Sequence, residues 1–264
     1  MSEPAAGRRS LRPLTDFAAA TGFLTLLPIG RRWPDDRHPR SVGWYPWVGW
    51  LLAGIVALPI WALTRFGGSI TGTKALVAAA CVVAAWSLLT RFLHWDGLAD
   101  SVDGLWGGNA PERRLEIMRD SRIGSFGAAA MVMTALLQVA AIALAIERGS
   151  LWVVVAAPVL GRFAAALAAW DLPGARADGL GLTAMGAPGL CDRVVASAAV
   201  LALLFFIELG APAYAVIGVL GAGFAAAMIV PRALARGVGG MTGDLLGATV
   251  LIVETCVLLV GAVI

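Results

Sequence analysis

The chain is short of charge. Its 264 residues carry 20 Lys+Arg and 17 Asp+Glu, so 14% are charged against 59% hydrophobic. A water-soluble domain of this length needs more polar surface than that to cover its core. Cysteine is scarce too: Cys81, Cys191 and Cys256 are odd in number and lie in or beside apolar segments. They are expected to be buried thiols with no disulfide or zinc role. Lysine is nearly missing, Lys74 standing alone against nineteen arginines that sit mostly between apolar runs. No basic patch interleaves with exposed aromatics, so the net charge of +3 reports membrane topology rather than a nucleic-acid partner. The opening MSEPAAGRRSLRPL is basic and shows no apolar signal-peptide core. What is plentiful agrees with these gaps: 32 Gly, 10 Trp and a mean hydropathy of +0.82. Gly permits close helix packing and Trp settles at bilayer interfaces. A disordered chain, a disulfide scaffold and an ordinary cytosolic enzyme are excluded. The expected fold class is all-α, a polytopic membrane bundle.

Crossing ~30 Å of hydrocarbon takes roughly 20 apolar residues. Seven runs come close: 43–65, 72–92, 124–146, 151–170, 194–210, 212–230 and 244–264, with a tight hairpin at Gly210-Ala211-Pro212. Phe17 to Ile29 is apolar but short, is interrupted by Gly22 and Pro28, and is flanked by Arg8, Arg9, Arg12, Arg31, Arg32, Arg37 and Arg40. It is expected to be a re-entrant or interfacial helix. The N-terminal arm and loops 30–42, 91–123, 171–193 and 231–243 hold nearly all the arginine, whereas only Arg65, Lys74 and Arg148 lie near the opposite side. The positive-inside rule then predicts an N-terminus and long loops in the cytoplasm and an external C-terminus. No repeat is evident, and residues 1–264 read as one membrane domain.

Directly after the second run comes His94-Trp-Asp96-Gly-Leu-Ala-Asp100-Ser-Val-Asp103-Gly. The i, i+4, i+7 spacing puts Asp96, Asp100 and Asp103 on one helix face. Three adjacent carboxylates repel, and a hard divalent cation such as Mg²⁺ or Mn²⁺ turns that repulsion into coordination. Because Mg²⁺ takes one or two carboxylates plus substrate phosphates, a pyrophosphate-bearing substrate follows. The plainer alternative is a charged interfacial turn snorkelling to water. His94 falls on a different face, which suits proton transfer or hydrogen bonding, or simply an interfacial histidine with a satisfied ring.

The acidic run resembles the signature of the cobalamin synthase family, the adenosylcobinamide-GDP ribazoletransferases. So do Met118-Arg119-Asp120-Ser121-Arg122-Ile123-Gly124-Ser125-Phe126-Gly127 and Gly239-Gly240-Met241-Thr242-Gly243-Asp244-Leu245-Leu246-Gly247-Ala248. Phe23 to Gly30 and the stretch from Trp44 are also similar, so the resemblance covers nearly the whole chain. It implies a Mg²⁺-dependent transferase of the bacterial cytoplasmic membrane that joins adenosylcobinamide-GDP to α-ribazole, or its 5′-phosphate, and releases GMP. Asp100-x-x-Asp103-Gly is also similar to the CDP-alcohol phosphotransferases, the runner-up, although that family's downstream residues are missing. Rivals of other classes are a transporter and a scaffold for other corrin enzymes. Against the transporter, no inverted repeat is visible and the polar residues gather at one face rather than along a midplane path. A scaffold would not need converging acidic and Gly-rich loops.

Such a transfer needs a metal, donors for the phosphate oxygens and a base. Asp96, Asp100 and Asp103 are expected to hold Mg²⁺, with Asp120 and Asp244 as further carboxylates; the base is one of the aspartates or His94. Arg119 and Arg122 suit phosphate, and Ser125 reads as a helix N-cap with free amides beside it. Gly240, Thr242 and Gly243 can cradle a phosphate, Thr242 adding a hydroxyl. Arg113 and Arg114 read as membrane anchors. Glu254 lies about 15 Å into the bilayer at ~1.5 Å per residue, and Arg162 is its expected partner. The expected partners are the two substrates and the lipid bilayer, with a homo-oligomer or contact with other late corrinoid enzymes left open.

Overall fold

A computed structural model describes residues 13–29, 41–175, 188–208 and 211–264. The N-terminal arginines, those of the 30–42 loop, Gly210 and most of the 171–193 loop lie outside the described residues. The helices are α1 (Pro13–Leu24), a 3-10 turn (Val42–Trp44) leading into α2 (Tyr45–Phe66), α3 (Thr73–Leu89), α4 (Leu93–Gly107) and α5 (Pro111–Ile117). They continue as α6 (Ser125–Glu147), α7 (Leu151–Asp171), α8 (Leu190–Glu208), α9 (Ala213–Val238) and α10 (Gly243–Val263). Among the described residues there is no strand, only one isolated bridge between Gly174 and Met241. Among the described residues six helices, α2 and α6 to α10, are long and apolar enough to cross a membrane, and α3 with α4, bent by 89°, make seven if the pair counts as one span. The protein is a multi-pass helical membrane protein.

That bend departs from the straight span expected at 72–92. Arg91 and Phe92 both take the left-handed conformation (φ 54° and 56°), which non-glycine residues seldom adopt. The Phe92 amide closes on the Ser87 carbonyl (2.8 Å), and the Asp96 amide restarts the helix on Phe92 (2.9 Å). The end of α1 braces the corner: Leu26 N–H donates to the Leu89 carbonyl (2.7 Å) and Arg91 Nη2 to the Phe23 carbonyl (3.2 Å). At 12 residues, α1 is about 18 Å long and cannot cross the bilayer. Its buried Ala19, Ala20 and Leu24 face inward, and Phe23 stacks near the Tyr45 ring.

Apolar burial alone drives little helix association in lipid; close packing and interhelical hydrogen bonds do. α7 and α10 show both and form the centre, with 83% and 67% of their apolar windows buried against at most 39% in the other spans. A Cβ on Gly97 would lie 2.7 Å from the Asp244 carbonyl oxygen and 3.2 Å from Gly247 Cα, so α4 touches α10 backbone to backbone. Gln138 Nε2 donates to Thr255 Oγ1 across α6 and α10 (3.0 Å), and Trp47 and Trp50 donate to the Val195 and Ala199 carbonyls of α8 (3.0 Å each). The outer faces present Leu58, Leu63, Val132, Met133, Leu136 and Phe205, an apolar surface suited to lipid. Cys81 and Cys191 belong to such exposed surface and Cys256 is half-buried. All three are free, but the expectation of buried thiols is corrected, since an outward position on a span is apolar without being packed.

The two sets of loops part to opposite ends. Gly72 N–H donates to Glu147 Oε1 (2.6 Å) and the Arg148 guanidinium to the Ala262 carbonyl, joining 66–72, 147–150 and the C-terminal end. The motif-bearing segments 107–124 and 239–243 gather at the other end, with 171–175 beside them.

Candidate active site

α4 carries the three aspartates on one face, as their spacing requires, but burial grades along it. Asp96 is exposed, Asp100 half-buried and Asp103 buried. Asp103 turns both oxygens to the start of α6, accepting from Gly124 N–H (2.8 Å) and Gly127 N–H (2.9 Å). A Cβ on Gly127 would come within 2.8 Å of the Ala99 carbonyl oxygen, so glycine there lets the two helices meet. This corrects the expected role of Ser125. The N-cap is Gly124, Ser125 is the exposed first residue of α6, and the anion on the helix amides is Asp103 itself. Removing that carboxylate leaves two amides without acceptors. Asp103→Ala is expected to cost about 2–4 kcal/mol, measured as a lower unfolding midpoint in detergent; an unchanged midpoint refutes the capping role.

Ser125 and Asp103 line an open cavity of about 610 Å³ with Arg113, Glu116, Asp120 and Arg122. Asp120 shares this cavity with Asp103 but not the one lined by Asp96 and Asp244. Arg122 grips it through Nη2 (2.6 Å) and Nε (3.0 Å), and these hydrogen bonds push the Asp120 carboxyl down to about 2. Asp120 is therefore a counter-ion and a poor proton acceptor. The Arg122 side chain is 87% exposed, and an exposed pair of this kind adds little stability, which leaves the guanidinium able to re-pair with a phosphate. Arg113 pairs with Glu116 (2.6 Å), and Arg119 is exposed on the turn after α5. Arg114 is no membrane anchor: Nε donates to the Gly108 carbonyl (2.9 Å) and Nη1 to the Gly237 carbonyl (2.7 Å), tying α5 to the end of α9.

A second cavity, of about 250 Å³, lies between α4, α7 and α10. Exposed Asp96, exposed Gly243 and half-buried Asp244 mark its mouth, and buried His94 and Arg162 its closed end. Thr242 is the N-cap of α10, accepting from Leu245 N–H (3.2 Å), with its hydroxyl 3.4 Å from Asp244 Oδ2. Gly240 is buried and its amide is bonded to the Ala235 carbonyl (3.0 Å). It shapes the turn rather than presenting an amide. The turn is pinned by Met241 N–H to the Pro173 carbonyl and Ala175 N–H to the Met241 carbonyl (2.8 Å each). Residues 173–175 thus acquire a part that no motif signalled. Deeper in, Arg162 and Glu254 form the expected buried ion pair, while Arg162 Nε has no hydrogen-bond partner.

Among the described residues no three His, Cys, Asp or Glu side chains are placed to hold a metal ion. The expected cage of Asp96, Asp100 and Asp103 does not close, because Asp103 faces α6. Asp96 and Asp244 do share one cavity mouth. Two oxygen donors fit Mg²⁺, which completes its shell with water and substrate phosphates.

A family model described as cobalamin-5-phosphate synthase matches residues 16–262. A relative from Syntrophobacter fumaroxidans is 38% identical, covering 92% of this chain and 96% of its own. Relatives from Bradyrhizobium diazoefficiens (37%; 94% of each chain) and Frankia casuarinae (38%; 92% and 94%) are similar throughout. All three bear the name adenosylcobinamide-GDP ribazoletransferase. No solved structure matches the chain.

Proposed function

Since the chain belongs to the cobalamin-5-phosphate synthase family, we propose that it is itself an adenosylcobinamide-GDP ribazoletransferase. The observation that carries the reading is the meeting of Asp96 and Asp244, from two distant motifs, at one cavity mouth on the loop-rich end. In the reaction a ribose hydroxyl of α-ribazole, or of its 5′-phosphate, attacks the phosphorus bonded to the cobinamide. A new phosphorus–oxygen bond forms there, the bond to GMP breaks, and GMP departs with the pyrophosphate's bridging oxygen. Asp96 and Asp244 would hold Mg²⁺, with Asp100 on the same face of α4. The ion would offset the charge of the pyrophosphate. Arg122 exchanges its exposed bond to Asp120 for a phosphate oxygen, and an aspartate of the α4 face accepts the hydroxyl proton. The test is purified protein in detergent with both substrates and Mg²⁺: GMP and the joined corrinoid are expected in equal amounts. Neither appearing with either form of ribazole overturns the activity.

We place the protein in the bacterial cytoplasmic membrane with these loops inside and the C-terminus outside, because arginine crowds the loop-rich end. A reporter fused after Ile264 is expected to score as external. A cytoplasmic signal would reverse the orientation.

A further inference from the structure

The 250 Å³ cavity is unlike a phosphate site. Its walls are Phe23, Tyr45, Leu93, Leu246 and Val250, and polar groups stand only at its two ends. At the closed end His94 is 3% exposed and Arg162 2%. Arg162 Nε lacks a hydrogen-bond partner, and the His94 ring lines the same end of the cavity. A buried donor left unpaired is costly, so Arg162 Nε against an apolar chamber points to an acceptor supplied from outside the chain.

The substrates differ enough in chemistry to choose between them. A corrin macrocycle far exceeds a cavity below the ~300 Å³ of ordinary drug-sized sites. The pyrophosphate of a nucleoside diphosphate would be met by the ion at the mouth, whereas the chamber behind it offers phosphate only a guanidinium already paired with Glu254. The base of α-ribazole is a flat, apolar bicycle with a single unsubstituted ring nitrogen, which is a hydrogen-bond acceptor. We propose that this cavity is the acceptor subsite, with the base buried between Tyr45 and Leu246 and its free nitrogen turned to His94 and Arg162. The ribose then reaches the mouth, where Asp96 and Asp244 stand. The inference rests on the proposed activity and makes His94 a specificity-determining residue at the closed end.

The experiment uses Leu246→Cys in a Cys81→Ala, Cys191→Ala, Cys256→Ala background, labelled with a small thiol reagent in detergent. In Mg²⁺-free buffer, where GDP has no ion to hold it at the mouth, α-ribazole at ten times its Kd is expected to slow labelling about tenfold, and GDP to leave it unchanged. Slowing by GDP to the same degree, or none by α-ribazole, overturns the assignment. Ala165→Phe, which fills the chamber from α7, is expected to raise the KM for α-ribazole about tenfold or more and leave that for the corrinoid donor steady. A raised donor KM alone overturns it as well. Product formation by the unsubstituted protein is scored separately, so loss of the proposed activity and loss of the subsite are distinguishable.

Discussion

Asp96→Asn and Asp244→Asn are each expected to lower turnover about a thousandfold, the scale of losing one preorganised electrostatic group at a phosphoryl centre. Both residues sit at the cavity mouth, Asp96 exposed and Asp244 half-buried, so the amide fits without disturbing the bundle. The unfolding midpoint and helical content are therefore expected at parental values, in contrast to Asp103→Ala. GMP release at saturating substrates is the measurement, repeated over a Mg²⁺ series. Partial recovery at high Mg²⁺ is expected, because a weakened ligand set still fills by mass action. Full turnover in either variant would remove that aspartate from the site.

Glu254→Ala is expected to cost about 3–5 kcal/mol, the scale of leaving one charge of a buried pair uncompensated. Arg162 lies within the apolar centre at 2% exposure, and its remaining contact is a 3.3 Å bond from Nη1 to the Pro158 carbonyl. The loss should appear as a marked fall of the unfolding midpoint in detergent. Replacing both partners with apolar residues of similar size, Arg162→Met with Glu254→Leu, is expected to return the midpoint to near the parental value. Because Arg162 lines the cavity, the double variant is expected to recover stability without recovering full activity. A fully active double variant would reduce the pair to a structural element.

Most of the helices are legible in the sequence. Runs of apolar residues separated by arginine-bearing loops leave a chain few alternatives in a bilayer, where backbone groups must be satisfied within each span. The Arg162–Glu254 pair was legible for a related reason: two ionisable residues deep in apolar segments have few partners other than each other. The site was legible as a set of segments but not as a set of contacts. Helical spacing placed Asp96, Asp100 and Asp103 on one face, yet it said nothing of what would cover each end of that face. The start of α6 covers Asp103, and α10 comes to Asp96.

The sequence by itself determined the class, the number of apolar spans to within the bent pair, and which loops carry the motifs. These follow from local quantities, namely hydropathy over a span and charge in a loop. Only the tertiary structure decided the 89° corner at Arg91 and Phe92, which no proline or glycine announces, and the bracing that holds it. It also decided that Asp103 caps a helix while Asp244 joins Asp96. Those outcomes depend on which backbones approach closely. Gly97 and Gly127 permit such approaches, but a glycine in a sequence does not name the helix that will fill the space beside it.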